Sequence, residues 1–67
     1  MVLSYKKLWK LMIDKDLKKK DLQVLASISS ASITKMAKNE YVTTETLEKI
    51  CNALQCDIAD ICEMVKE

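Results

Sequence analysis

The stretch that decides the fold is Lys18–Asn39, KKKDLQVLASISSASITKMAKN. Its apolar residues fall into two groups, Leu22, Leu25 and Ala26 and then Ile33, Met36 and Ala37. Each group follows the i, i+3, i+4 spacing that places side chains on one face of an α-helix. Between the groups, Ser27–Ser29 is too short for anything except a sharp turn. The stretch therefore predicts two short helices that pack against each other across a tight corner.

Length and composition predict one small, all-α domain over residues 1–67. The chain of 67 residues has neither Gly nor Pro, so it lacks the usual residues of tight hairpins and phosphate-binding loops. A domain of this size buries only about 60% of its unfolded surface, which makes its stability modest. No apolar run approaches the roughly 18 residues of a membrane span, and the N-terminus lacks the apolar core of a secretory signal. We therefore expect a cytoplasmic protein with no membrane association.

The three cysteines, Cys51, Cys56 and Cys62, form no CxxC pair, and the chain has no His. An ordinary zinc site cannot be assembled from these residues, and an odd count argues against a disulfide framework. Cys51 falls on the helical face of Ile50 and Leu54, where a thiol acts as a small hydrophobe. Core filling is the first interpretation and a redox or metal-sensing role is the second. No metal, cofactor or small-molecule ligand is predicted.

The net charge of +1 hides a strong asymmetry along the chain. Residues 1–38 contain nine Lys against three Asp, a balance of +6, whereas residues 39–67 contain two Lys against seven acids, a balance of −5. This division suggests that the basic half faces a polyanion and that the acidic half faces solvent or another subunit. The alternative is a lysine surface that is simply solvated.

A first helix is predicted before the central stretch, from Ser4 as its cap to Asp14. Its buried side carries the apolar residues Tyr5, Leu8, Leu11 and Met12. Trp9 borders this stripe. Since no other aromatic residue lies near it in helical spacing, Trp9 is interpreted as a packing residue rather than as a ligand stack.

Two more helices are predicted after the central stretch. The fourth begins at Thr43 or Thr44 and ends near Leu54, and a short fifth helix follows the cap residue Asp57. Two apolar segments remain at the chain ends, Val2–Leu3 and Met64–Val65. These ends either pair as a small two-stranded sheet or bury against a second subunit.

Three lysines, Lys18, Lys19 and Lys20, crowd the start of the second helix. The positive end of a helix dipole repels cations, and Asp21 offsets only part of this cost. An anion such as a DNA phosphate would relieve the rest, because a helix N-terminus beside lysines is a favourable phosphate site. The alternative is that the three side chains extend into water.

The third helix is predicted to begin after Ser29, a good N-cap, and to end near Lys38–Asn39, where Asn can take the left-handed conformation. Its outward face carries small, polar and basic residues, namely Ala31, Thr34, Lys35 and Lys38, flanked by Ser30 and Ser32. Small side chains allow close approach to base edges, where hydroxyls and Lys35 can form hydrogen bonds. This face is suited to the major groove of DNA.

The combined spacing resembles the Cro and phage-repressor type of helix-turn-helix, the XRE family. The matching residues in and before the central stretch are Leu8, Leu17, Leu22, Ala26, Ile28, Ser29, Ser32, Ile33, Thr34 and Met36. A second set closes the fold as in that family, namely Leu47, Ile50, Ala53, Leu54 and Asp57–Ile61. The resemblance covers essentially the whole chain. It implies a five-helix repressor-like DNA-binding domain whose second and third helices form the helix-turn-helix, at about residues 18–39.

The resemblance also implies which residues contact DNA. The base-reading positions of the family fall on Ser30, Ala31, Thr34 and Lys35. Its phosphate positions fall on Lys19, on Ser29 and on the loop with Lys38, Asn39, Tyr41 and Thr43, to which the dipole argument adds Lys18 and Lys20. Such a domain is usually a transcriptional regulator that binds a two-fold symmetric, double-stranded operator as a homodimer.

The chain departs from the family pattern in several places. Ser27 in the turn and Gln55 after the fourth helix replace the usual Gly, which costs about 1 kcal/mol where the left-handed conformation is kept. Lys18 replaces the Ser or Thr that normally caps the second helix. Met12 and Ala37 replace a buried Arg–Glu pair that ties the first helix to the end of the third in many members. Because both residues are apolar, no buried charge is left without a partner.

The predicted function is therefore sequence-specific regulation of transcription, with repression as the favoured outcome and the third helix in the major groove. The alternative is a protein-interaction module, such as an antitoxin or an adaptor, that holds a partner with its acidic half and apolar ends. An enzyme is not expected, because the chain has no His, no Gly-rich loop and no pair of carboxylates at a cleft.

Overall fold

The computed structural model describes residues 1–66, which contain four α-helices, one 3₁₀ helix and two short strands. Their order is β1 (Val2–Ser4), α1 (Lys6–Asp14), α2 (Lys19–Ala26), α3 (Ser30–Ala37), α4 (Thr44–Leu54), the 3₁₀ helix (Ile58–Asp60) and β2 (Glu63–Val65). Glu67, the last residue of the predicted domain, lies outside this range. The mostly helical fold is confirmed. Within residues 1–66, no helix has the length and apolar character needed to cross a membrane.

The predicted fifth helix is wrong as an α-helix, since this segment is a 3₁₀ helix of three residues. Asp57 caps it as expected, because its Oδ1 accepts a hydrogen bond from the N–H of Ile58 at 2.6 Å. The carboxylate of Asp60 accepts in return from the N–H of Asp57 at 3.0 Å. The chain then enters β2 at Glu63, so the segment ends before another helical turn can form.

The two chain ends pair with each other as a sheet, which was one of the two predicted outcomes. The strands are antiparallel, with Val2 opposite Val65, Leu3 opposite Met64 and Ser4 opposite Glu63. Because Ser4 belongs to β1, α1 begins at Lys6 rather than after Ser4, and the predicted helix start is wrong. The hydroxyl of Ser4 still accepts a hydrogen bond from the N–H of Lys6, at 3.4 Å.

A single apolar cluster fills the space between the helices. Its buried members are Tyr5, Leu8, Met12, Leu22, Ala26, Ile28, Ile33, Met36, Ile50, Leu54 and Ile61. Two residues that were predicted to point inward are exposed, namely Leu25, at 55%, and Ala37. A helix turns by about 100° per residue, so the core lies between the directions of Leu22 and Ala26 on α2 and between those of Ile33 and Met36 on α3. Leu25 lies about 80° from the mean direction of Leu22 and Ala26, and Ala37 lies about 70° from the mean direction of Ile33 and Met36.

Each α-helix ends at a residue with left-handed backbone, although none of these residues is Gly. They are Asp16 (φ 57°), Ser27 (φ 55°), Asn39 (φ 58°) and Gln55 (φ 52°). In every case the N–H of the residue that follows donates a hydrogen bond to the carbonyl five positions earlier in the chain. The donor and acceptor pairs are Leu17 and Met12, Ile28 and Gln23, Glu40 and Lys35, and Cys56 and Cys51, at 2.8–3.1 Å. This bond defines the Schellman type of helix end. The left-handed conformation expected at Ser27, Asn39 and Gln55 is confirmed, whereas that of Asp16 was not predicted.

Candidate nucleic-acid interface

The turn between α2 and α3 consists of Ser27, Ile28 and Ser29. Ser27 reverses the chain with left-handed backbone, and Ile28 points into the core with only 9% of its surface exposed. Ser29 then caps α3, because its hydroxyl accepts a hydrogen bond from the N–H of Ser32 at 3.2 Å. These three residues together therefore fix the direction of α3 relative to α2.

One side of α3 is held in the core and the other is open. Ile33 and Met36 are 8% and 0% exposed. The four predicted base-reading residues, Ser30, Ala31, Thr34 and Lys35, are all exposed on this helix. The hydroxyl of Thr34 donates to the carbonyl of Ser30 at 3.0 Å, so its oxygen is left to act as an acceptor.

The predicted phosphate residues lie before and after this face in the chain. Lys18, Lys19 and Lys20 lie exposed at the start of α2, and Lys38 lies exposed at the end of α3. Among residues 1–66, the ion pairs within 4.0 Å are Lys7 with Glu63 and Lys49 with Glu45. The lysines beside the helix-turn-helix are therefore not neutralised by carboxylates of the described chain.

The first turn of α2 is stabilised by one acid. The carboxylate of Asp21 accepts a hydrogen bond from the N–H of Lys18 at 2.9 Å, which is the half of a capping box that the third helical residue supplies, while the Lys18 side chain makes no cap bond. Lys19 points toward α1, where its Nζ lies 5.0 Å from the centre of the Trp9 ring. Sequence spacing contains no signal for this contact, since the two residues lie in different helices.

The loop after α3 is tied to the start of α1 by Tyr5, the N-cap of that helix, for which the sequence predicted only packing. Tyr5 is fully buried, its N–H donates to Oδ1 of Asn39 at 3.4 Å, and its hydroxyl donates to the carbonyl of Glu40 at 3.2 Å. Burial raises the pKa of this phenol above its ordinary value of 10.0, so the hydroxyl remains a hydrogen-bond donor into the alkaline range. The Asn39 oxygen is therefore structural, and its amide N–H groups remain the candidate donors to a phosphate.

The rest of this loop presents two predicted phosphate residues. Tyr41 is 76% exposed. Thr43 is exposed, and its hydroxyl caps α4 by accepting from the N–H of Thr46 at 3.2 Å. Of the two apolar residues at the positions of the family's Arg–Glu pair, Met12 is buried and Ala37 is exposed.

The cysteines lie away from this surface and have the character of packing residues. All three are half-buried and free, and burial raises the pKa of the Cys51 thiol to about 11 and that of Cys56 and Cys62 in the same direction. Such thiols are weak nucleophiles at neutral pH. Within residues 1–66, no group of three or more His, Cys, Asp or Glu side chains could hold a metal ion.

Two helices joined by a three-residue turn, with a small, basic and exposed face on the second, define a helix-turn-helix domain. Comparison with known families leads to the same class. The model of the Cro/C1-type HTH DNA-binding domain matches residues 7–67. The chain therefore belongs to this family, and the resemblance seen in the sequence is confirmed.

A comparison with solved structures gives a match over nearly the whole chain. The crystal structure of the transcriptional regulator VanUg, Form II, has a TM-score of 0.93 and 44% sequence identity with this chain. The match covers 98% of this chain and 88% of that one. No match was found among the curated proteins.

Proposed function

We propose that this protein regulates transcription by binding double-stranded operator DNA with α3 in the major groove. The observation that carries the proposal is the α3 face of Ser30, Ala31, Thr34 and Lys35, which is exposed while the opposite side of the helix lies in the core. Membership of a DNA-binding family and similarity to a transcriptional regulator support it. A domain that occupies an operator blocks other proteins from that DNA, so we favour repression.

Phosphate contacts are proposed on both sides of α3. Lys18, Lys19 and Lys20 would bind one stretch of backbone, while Ser29, Lys38, Asn39, Tyr41 and Thr43 would bind the other. The support is that all eight are exposed and that the lysines have no carboxylate partner within residues 1–66. Such contacts set the orientation of the domain on DNA, whereas α3 would supply the sequence preference.

We also infer that two copies bind one operator. Four apolar side chains on and beside the sheet are exposed, namely Met1 (73%), Val2 (39%), Met64 (53%) and Val65 (37%). A second copy would cover this apolar surface and would double the protein area laid on DNA. Sedimentation equilibrium at micromolar concentration should show a dimer. A single 7.7 kDa species would contradict this inference. The proposal keeps the cytoplasmic location expected from the sequence.

The proposed function is tested by selecting duplexes from a random DNA pool and then measuring affinity by fluorescence anisotropy. Lys35→Glu should weaken binding by roughly tenfold or more, because it removes a cation from the reading face and adds an anion. Lys49→Glu changes the charge equally but lies exposed on α4, outside the α3 face and outside the apolar chain ends, so it is the matched control and should bind like the wild type.

Two outcomes would overturn the proposal. One is that the wild-type protein enriches no duplex sequence. The other is that Lys35→Glu and Lys49→Glu weaken binding equally, since the effect would then be one of net charge alone. Capture of a protein partner together with failure to bind DNA would favour the interaction-module alternative.

A further inference from the structure

One lysine of the proposed phosphate group differs from its neighbours in its contacts. Lys19 is the first residue of α2, and its Nζ lies 5.0 Å from the centre of the Trp9 ring on α1. This distance is within the range in which an ammonium is attracted to the face of an indole. Among residues 1–66, Lys18 and Lys20 have no comparable aromatic contact. Lys19 is therefore held by contacts with both α1 and α2.

The position of Trp9 is fixed by its own packing. It is half-buried and packs against the main apolar cluster of the domain. Trp9 and Lys19 also line the same shallow groove of about 360 Å³, together with Met12, Ile13, Leu17 and Lys18. The ring is thus fixed by the core on one side and offers its remaining surface to the lysine.

A lysine held in this way reaches a phosphate at lower cost than a free one. A mobile lysine side chain loses rotamer entropy when it is fixed in a contact. Trp9 restricts the side-chain rotamers of Lys19 before DNA binds, so the lysine is preorganised for the contact. An ammonium has three N–H donors, so the face turned away from the ring remains available for a phosphate oxygen.

We propose that Trp9 is a positioning residue for DNA binding, which holds Lys19 at the start of α2 in the place where it meets a phosphate. This inference rests on the proposed function, because it specifies how one of its phosphate contacts is prepared. It differs from a packing role for Trp9. If Trp9 only packs, replacing it should change the stability of the domain. Any effect of the replacement on DNA affinity should then be the same with Lys19 present and with Lys19 replaced.

The test is a double-mutant cycle on the duplex selected by the wild-type protein. Trp9→Leu should weaken binding about two- to fivefold for each protomer, because the Lys19 side chain would then lose its rotamer freedom on binding instead of before it. Trp9→Phe, which keeps an aromatic face, should restore most of this loss. In a Lys19→Gln background, Trp9→Leu should have no further effect. Lys19→Gln should lower the salt dependence by about one phosphate contact, whereas Trp9→Leu should leave it unchanged.

Two further measurements separate positioning from loss of the fold. Thermal unfolding followed by circular dichroism identifies any variant that does not fold, in which case Trp9→Phe completes the cycle. In the free wild-type protein, the ε-methylene protons of Lys19 should show an upfield ring-current shift by NMR, and Trp9→Leu should abolish it. The inference is overturned if this shift is absent, or if Trp9→Leu weakens binding equally with and without Lys19. If the wild type binds no DNA, the proposed function fails instead.

Discussion

Replacing Ser27 or Gln55 with Gly should stabilise the domain. Both residues hold left-handed backbone at a helix end, with φ of 55° and 52°. This conformation costs an ordinary L-residue about 1–2 kcal/mol, because Cβ crowds the following carbonyl. Gly removes that cost but loses about 0.5–1 kcal/mol more backbone entropy on folding. The net gain is about 0.5–1 kcal/mol at each site, or about 2–8 °C in Tm for a domain of this size.

The assay is urea and thermal unfolding followed by circular dichroism on each single variant and on the double variant. The gains should add, because Ser27 lies between α2 and α3 and Gln55 follows α4. Ser27→Ala keeps Cβ and should give no gain. Asn39→Gly should also fail to stabilise, because Asn tolerates the left-handed region and its Oδ1 accepts the N–H of Tyr5. The reasoning is refuted if Ser27→Gly and Gln55→Gly leave the unfolding free energy unchanged or reduce it.

Three other substitutions or conditions test the contacts that support the interface. Tyr5→Phe removes the bond to the Glu40 carbonyl and should cost about 1 kcal/mol in urea unfolding; no loss would show that the bond contributes nothing. Ser29→Ala removes the α3 cap and should cost a similar amount, whereas Ser30→Ala, one residue later, should cost less. Burial raises the pKa of Cys51 from 9.0 to about 11, so its contribution to stability should be complete below pH 9.0 and should be lost as the pH rises toward about 11, together with the smaller contributions of Cys56, Cys62 and Tyr5. Cys51→Ala should flatten that fall, and an identical profile would contradict the assignment.

Much of the helix-turn-helix could be predicted because its signals are local. Ser29 and Thr43 cap α3 and α4 as their residue types suggest, and Asn39 ends α3 with left-handed backbone. The spacing of the apolar residues identifies the buried side of α2 and of α3, with one residue misassigned in each helix. The errors at Leu25 and Ala37 arise because the fully buried sector of α2 and of α3 is narrower than the i, i+3, i+4 face, and the spacing alone does not say which end of that face is exposed.

The features that escaped prediction depend on residues far apart in the chain. Ser4 belongs to β1, which pairs with β2, so α1 begins at Lys6 instead of directly after Ser4. The segment predicted as the fifth helix is a 3₁₀ helix because the chain must enter β2 shortly after it. Tyr5 holds the loop at Asn39 and Glu40 across more than thirty positions of sequence. A single sequence has no local pattern for such contacts. The exposure of the proposed DNA-binding residues agrees with their assignment, but their contacts with DNA stay a prediction.

The salt dependence of DNA binding tests the central claim most directly. Four lysines of the proposed phosphate sites, Lys18, Lys19, Lys20 and Lys38, are exposed beside α3. Each phosphate contact releases counterions, so the logarithm of the association constant should fall with the logarithm of salt concentration at a slope of about −3 to −4 for each protomer. Replacing Lys18, Lys19 and Lys20 with Gln should leave only a shallow slope. A nearly flat dependence for the wild-type protein, or a slope that these substitutions leave unchanged, would contradict the account.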